Sequence, residues 1–231
     1  MNTQTPSNHY PCTFISGGLR RAKVTSLCHQ RVVIALDGSG SMAENNKDRA
    51  ASEATLGLCQ ELALPTNKDG FEVAVIRFST KAKVVHAFEP ASSLIGHLQP
   101  HKVGWLAGET NITAALELAR ELLKAGLAQP TTMAVRYVKP LVVVMSDGMH
   151  NCGPNPLPVA DDLKELADVL AVAFGDDADE PMLRAIATPQ LSVRCRTGAD
   201  LRCYFAEIGR TLTITRAAGI NATAALANPQ Q

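Results

Sequence analysis

Asp37-Gly38-Ser39-Gly40-Ser41 sets one carboxylate and two hydroxyls at alternate positions of a five-residue stretch. The run before it, Arg31-Val32-Val33-Ile34-Ala35-Leu36, is short, apolar and β-branched, the pattern of a buried strand. The stretch after it has helical spacing. The three oxygen donors therefore fall on a loop at the carboxyl end of a strand, the edge where open α/β sheets bind ligands. Oxygen donors suit a small hard cation such as Mg²⁺, and Gly38 and Gly40 let the loop curl.

Two later segments carry matching chemistry. Leu141-Val142-Val143-Val144-Met145-Ser146-Asp147-Gly148 reads as a second buried strand ending in Asp-Gly. Gly108-Glu109-Thr110-Asn111-Ile112-Thr113 reads as a loop that opens a helix. An Asp-x-Ser-x-Ser loop, a Gly-x-Thr loop before a helix and an apolar strand ending in Asp-Gly, in that order, resemble von Willebrand factor A domains with a metal-ion-dependent adhesion site. The resemblance spans Arg31 to about Leu212. Among bacterial members the chain looks most like small stand-alone proteins of the tellurite-resistance TerY type.

The resemblance implies a metal set of Asp37, Ser39, Ser41, Thr110 and Asp147. Two carboxylates would balance a Mg²⁺ ion, with Mn²⁺ the alternative, and three neutral hydroxyls would leave it electrophilic toward one more anionic oxygen. In the family that oxygen comes from a Glu or Asp of another protein. The resemblance thus implies a non-enzymatic docking module, an adaptor in a bacterial stress-response or defence system beside an AAA+ ATPase, a kinase or a phosphatase. Glu109 stands where many members have glycine and puts a negative side chain at the rim, together with Met149, His150 and Asn151.

Each piece also has a plainer reading. Asp-Gly after a strand is ordinary turn chemistry, and Thr110 before a helix suits an N-cap. Thr113 fits a first-turn helix residue. A competing function is a Mg²⁺-dependent phosphatase of the haloacid-dehalogenase type, whose nucleophilic Asp also ends the first strand. That chemistry needs a second Asp two residues on as acid/base, and this chain has Ser39 there. No Walker loop, dinucleotide fingerprint or Gly-x-Ser-x-Gly elbow is present. The acidic run Asp176, Asp177, Asp179, Glu180 reads as helix N-terminal charge. His86, His97 and His101 are too dispersed in sequence to propose as ligands.

At 231 residues, 22 basic and 22 acidic side chains cancel. Such a balance argues against nucleic acid as a partner. No apolar run reaches the ~20 residues of a membrane helix, and the start of the chain lacks a signal-peptide pattern, so the expected location is cytoplasmic with no membrane association. Six cysteines without Cys-x-x-Cys spacing are expected as reduced thiols. His150 with Cys152 is too small a set for zinc.

Positioning the loops requires alternating strands and helices. Strands are expected near 31–36, 71–78, 83–88, 137–146, 169–175 and 191–195, with helices near 45–64, 91–98, 111–124, 160–167, 180–187 and 200–212. The alternation predicts a three-layer, doubly wound α/β fold: a mainly parallel central sheet, one antiparallel edge strand, and helices on both faces. Residues 1–30 are expected as an extension, with Cys12–Ile15 able to join the sheet, residues 31–214 as the domain, and 215–231 as a flexible tail.

Overall fold

The computed structural model describes residues 27–98, 108–127 and 135–228. Residues 1–26, including the stretch around Cys12, and His101 lie outside them. The strands are β1 (Leu27–Asp37), β2 (Phe71–Phe78), β3 (Ala82–Pro90), β4 (Val135–Tyr137), β5 (Leu141–Ser146), β6 (Asp168–Phe174) and β7 (Ser192–Cys195). The helices are α1 (Lys47–Leu62), α2 (Ala91–Leu94), α3 (Ile112–Leu127), α4 (Leu157–Lys164), α5 (Glu180–Ile186), α6 (Gly198–Ala218) and α7 (Thr223–Ala227).

All strands join one sheet of order β3-β2-β1-β5-β6-β7, with β4 pairing the start of β1. Every pairing is parallel except β2 with β3. The architecture is the expected three-layer α/β sheet with one antiparallel edge.

Side-chain alternation along β1 explains the layers. Val32, Ile34 and Leu36 face a core shared with Leu58 and Leu62 of α1 and Phe205 and Leu212 of α6. Val33 and Ala35 face a second core with Ile112, Leu116 and Leu123 of α3, Leu163 of α4 and Leu183 of α5. Burying each such aliphatic side chain contributes about 1.5–3 kcal/mol. A strand wet on neither face has no polar alternation to show, hence the continuous apolar runs of β1, β5 and β6.

Several details differ from the sequence reading. β1 starts at Leu27 rather than Arg31 and pairs with β4 through its first three residues. The single strand expected over 137–146 is two, β4 and β5, parted at Lys139-Pro140, where proline has no N–H for a ladder. The tail expected to be flexible continues α6 to Ala218, which Gly219 ends at φ 69°, and then forms α7, whose Leu226 is buried. No helix among the described residues is long and apolar enough to cross a membrane. Among the described residues, cysteines 28, 59, 152, 195 and 203 form no disulfide with one another.

Candidate metal centre

The strand order turns at β1, which has β2 on one side and β5 on the other. At such a switch point the carboxyl ends of neighbouring strands open a crevice. Asp37 ends β1, Ser146 ends β5 and Asp147 follows it, so the parallel pairing of these strands brings the two carboxylates to the same edge.

The first loop is held by its own hydrogen bonds. Ser39 N–H donates to Asp37 Oδ1 at 2.8 Å, and Ser146 Oγ donates to Asp37 Oδ2 at 2.5 Å. Ser39 Oγ and Ser41 Oγ are 3.1 Å apart, and Ser41 Oγ donates to Asp147 Oδ1 at 2.7 Å. Gly40 N–H donates to Gly108 O at 3.1 Å, which ties the first loop to the second. Gly108 has φ 135°, and a Cβ there would meet Thr80 Oγ1 at 2.6 Å, so glycine is required.

Thr110 is buried in the second loop. Its N–H donates to Asn151 Oδ1 at 2.8 Å, and Asn151 N–H donates to Thr110 O at 3.2 Å. The N-cap of α3 is Asn111, whose Oδ1 accepts from Ala114 N–H at 3.0 Å, and not Thr110. Thr110 Oγ1 is therefore free of the capping role. A Cβ built on Gly148 would lie 3.4 Å from Thr110 Oγ1 and 3.5 Å from Ser41 Oγ. The bare glycine leaves a cradle between the hydroxyls of two loops.

All five expected residues thus converge. Thr113 does not join them, because its Oγ1 donates to Pro154 O at 2.5 Å. His150 is a clasp: Nδ1 accepts from Ile112 N–H at 3.2 Å, and Nε2 lies 3.0 Å from Pro154 O. An amide only donates and a carbonyl only accepts, so these partners select the neutral Nε2–H tautomer. Met149 is 64% exposed on the rim. Of the acidic run, Asp179 caps α5 by accepting from Met182 N–H at 3.1 Å and Glu180 stands in its first turn, as expected, whereas Asp176 lies before the helix and pairs with Arg194 at 2.9 Å.

Two cations escape the sequence reading. Lys47 Nζ donates to Asp147 Oδ2 at 2.7 Å in a buried contact. It arrives there because Asn45 and Asn46 both adopt positive φ, 53° and 56°, and turn the chain into α1. Asparagine is the non-glycine residue that tolerates this region best. Gly175, at φ 90°, completes the slot, since a Cβ there would lie 3.4 Å from Lys47 Cε. Arg77 of β2 is buried on the same level of the sheet, its Nε and Nη1 without hydrogen-bond partners. Burial lowers its pKa, and the charge of Asp37 opposes that drop. Two successive asparagines before a helical pattern and a charged residue inside β2 were the available signals.

Burial raises the Asp37 carboxyl above its ordinary value; the hydrogen bonds from Ser146 and Ser39 oppose this, and the Asp147 charge adds to it. Oxygens flanking one another in a Mg²⁺ shell lie about 2.9 Å apart for bonds of 2.0–2.1 Å. The 3.1 and 2.7 Å separations here bracket that spacing. Donor type and spacing both fit a small divalent ion.

Comparison with known proteins agrees with this architecture. A Mycobacterium tuberculosis protein, Uncharacterized protein Rv2850c, is 32% identical over 128 residues, covering 54% of this chain and 18% of that one. A solved von Willebrand factor type A structure from Catenulispora acidiphila superposes with a TM-score of 0.64 at 20% identity, over 81% of this chain and 43% of its own. Proximal thread matrix protein 1 from the mussel byssus, solved with a zinc-occupied MIDAS motif, gives 0.65 at 20% identity over 82% and 48%. The chain spans less than half the length of each. The family model for the von Willebrand factor type A domain matches residues 32–202, most of the chain, and the protein belongs to that family.

Proposed function

We propose that the chain is a non-enzymatic, Mg²⁺-dependent protein-recognition module, with Mn²⁺ as the alternative ion. Asp37, Ser39, Ser41, Thr110 and Asp147 would hold the ion, directly or through water. The observation that carries this reading is the convergence of three hydroxyls and two carboxylates at one crevice, with hydroxyl and carboxylate oxygens already at shell spacing. When bound, the ion supplies a Lewis-acidic docking point for a carboxylate of the partner protein.

Charge in the site favours an acidic partner. Lys47 already pairs with Asp147, and Arg77 lies within the field of Asp37. The two carboxylates are thus offset before any divalent charge arrives, and the loaded site carries excess positive charge. A cleft of about 550 Å³ next to Lys47 is lined by Arg49, Arg196 and Arg202 and equally by Glu53, Asp176 and Asp177, with Arg49 and Arg202 both paired to Glu53, so it adds little net charge to the site. The position where phosphatase chemistry needs its second carboxylate is occupied by Ser39, whose hydroxyl contacts Ser41. The setting we favour is a cytoplasmic adaptor in bacterial stress response or defence, beside an AAA+ ATPase, kinase or phosphatase.

The test is affinity capture from the native host with Mg²⁺ or with EDTA, using wild type and Asp37→Ala. Partners that elute with EDTA and are lost with the substitution support the reading. Capture indifferent to both discards it.

A further inference from the structure

We propose that His86, Glu89 and His97 form a second cation site, at the sheet edge, selective for a borderline transition ion such as Zn²⁺. It is independent of the oxygen site at the carboxyl ends of β1 and β5.

The histidines that looked dispersed in sequence are brought together by two irregularities of β3. Residues three apart on a regular strand face opposite sides of the sheet. On β3 the register with β2 slips: Val73 pairs with Glu89 and Val75 with His86, so two steps on β2 match three on β3. The extra residue is a β-bulge, and it cancels the odd spacing. Paired residues share a face, and Val73 and Val75 both point into the core of α1 and α6. His86 and Glu89 therefore project on that same side. Behind them the chain forms α2 and a turn anchored by buried Leu94 and Leu98, which presents His97.

The donors meet at coordinating distance. Glu89 Oε1 is 3.0 Å from His97 Nε2 and 3.8 Å from His86 Nδ1. One donor atom from each residue lies within 4.8 Å of the other two. Donors of a tetrahedral zinc shell lie about 3.3 Å apart for bonds of 2.0–2.1 Å, so small side-chain movements close the set. The two imidazole rings are 5.3 Å apart and tilted by 43°, not stacked. Side-chain exposure of 19, 26 and 52% for His86, Glu89 and His97 leaves the fourth position to water.

Selectivity follows from donor type. Two imidazoles and one carboxylate suit Zn²⁺ and its neighbours, while Mg²⁺ prefers oxygen alone. Excess Mg²⁺ should therefore occupy the crevice and leave the edge to zinc.

The test titrates Zn²⁺ by calorimetry into the EDTA-stripped full chain in millimolar Mg²⁺. We expect the wild type to bind zinc at least ten-fold tighter than His97→Ala. Co²⁺ should give tetrahedral d–d bands that Glu89→Gln and His97→Ala weaken or lose. His97 is half-exposed, so thermal unfolding of its variant in EDTA should match wild type and exclude misfolding. Equal zinc affinity in wild type and His97→Ala, with unchanged Co²⁺ spectra, would overturn the proposal.

Discussion

Lys47 Nζ and Asp147 Oδ2 are 2.7 Å apart, a lysine of the first turn of α1 against the carboxylate that follows β5. The contact holds one oxygen of Asp147 and leaves Oδ1 to Ser41. It orients the carboxylate and also places a positive charge where a cation would bind. Orientation by a supporting partner is worth about 10- to 100-fold, or 1.4–2.7 kcal/mol. Repulsion between unit charges 4 Å apart near a protein surface is about 4 kcal/mol. Charge should win. Lys47→Met is expected to bind Mg²⁺ at least ten-fold tighter by calorimetry. Without metal the variant should be less stable by about 3 kcal/mol, because Asp147 loses its buried partner. Weaker Mg²⁺ binding would show that orientation dominates.

Proton competition gives a second expectation. Burial raises the Asp37 carboxyl above its ordinary value of 3.8. In metal-free protein this group therefore stabilises the fold below the ordinary value, and that contribution is lost as pH rises through the raised folded value. Metal binding requires the carboxylate and reverses the preference. The Mg²⁺-induced rise in Tm should grow with pH and then level off above the raised value. A Tm shift that is flat down to about pH 4 would mean that Asp37 does not hold the ion.

Gly148 tests the cradle without replacing a donor. A Cβ there lies 3.4 and 3.5 Å from Thr110 Oγ1 and Ser41 Oγ, ordinary contact, but the branches of valine would reach into the space between them. Gly148→Val should weaken Mg²⁺ binding at least ten-fold by calorimetry and leave the far-ultraviolet circular dichroism unchanged. Unaltered binding would place the ion elsewhere.

Thr197 serves as a control outside the donor set, since its side chain is engaged in capping α6. Its hydroxyl accepts from Asp200 N–H at 3.1 Å, and Asp200 Oδ2 accepts from Thr197 N–H at 2.9 Å, a reciprocal cap on α6. Thr197→Ala should cost about 1 kcal/mol in urea unfolding. Mg²⁺ affinity should stay at the wild-type value.

The oxygen donors were legible in sequence because each lies on a loop next to an element whose hydrophobic pattern is strong. β1 and β5 are continuous apolar runs, and parallel pairing sets their ends side by side. Lys47 was not legible, since its partner is 100 residues away and its direction depends on two left-handed asparagines. Thr110 and Asn111 both suit a cap by residue type, and only geometry shows that Asn111 takes it. The meeting of His86 with Glu89 and His97 was hidden for a related reason. A bulge is a mismatch between two strands, and neither strand's own periodicity records it.

The slipped register of β3 has a consequence for solution behaviour. An outermost strand normally offers a straight row of amides and carbonyls on which another chain can crystallise into a growing ribbon. Here β3 carries two extra residues against β2, at the steps from Val73 to Val75 and from Val75 to Ile76, so that row is broken twice within nine residues. The protein protects this border by misalignment, and deleting Val85, which removes one of the two breaks, should shift the protein toward aggregation on concentration.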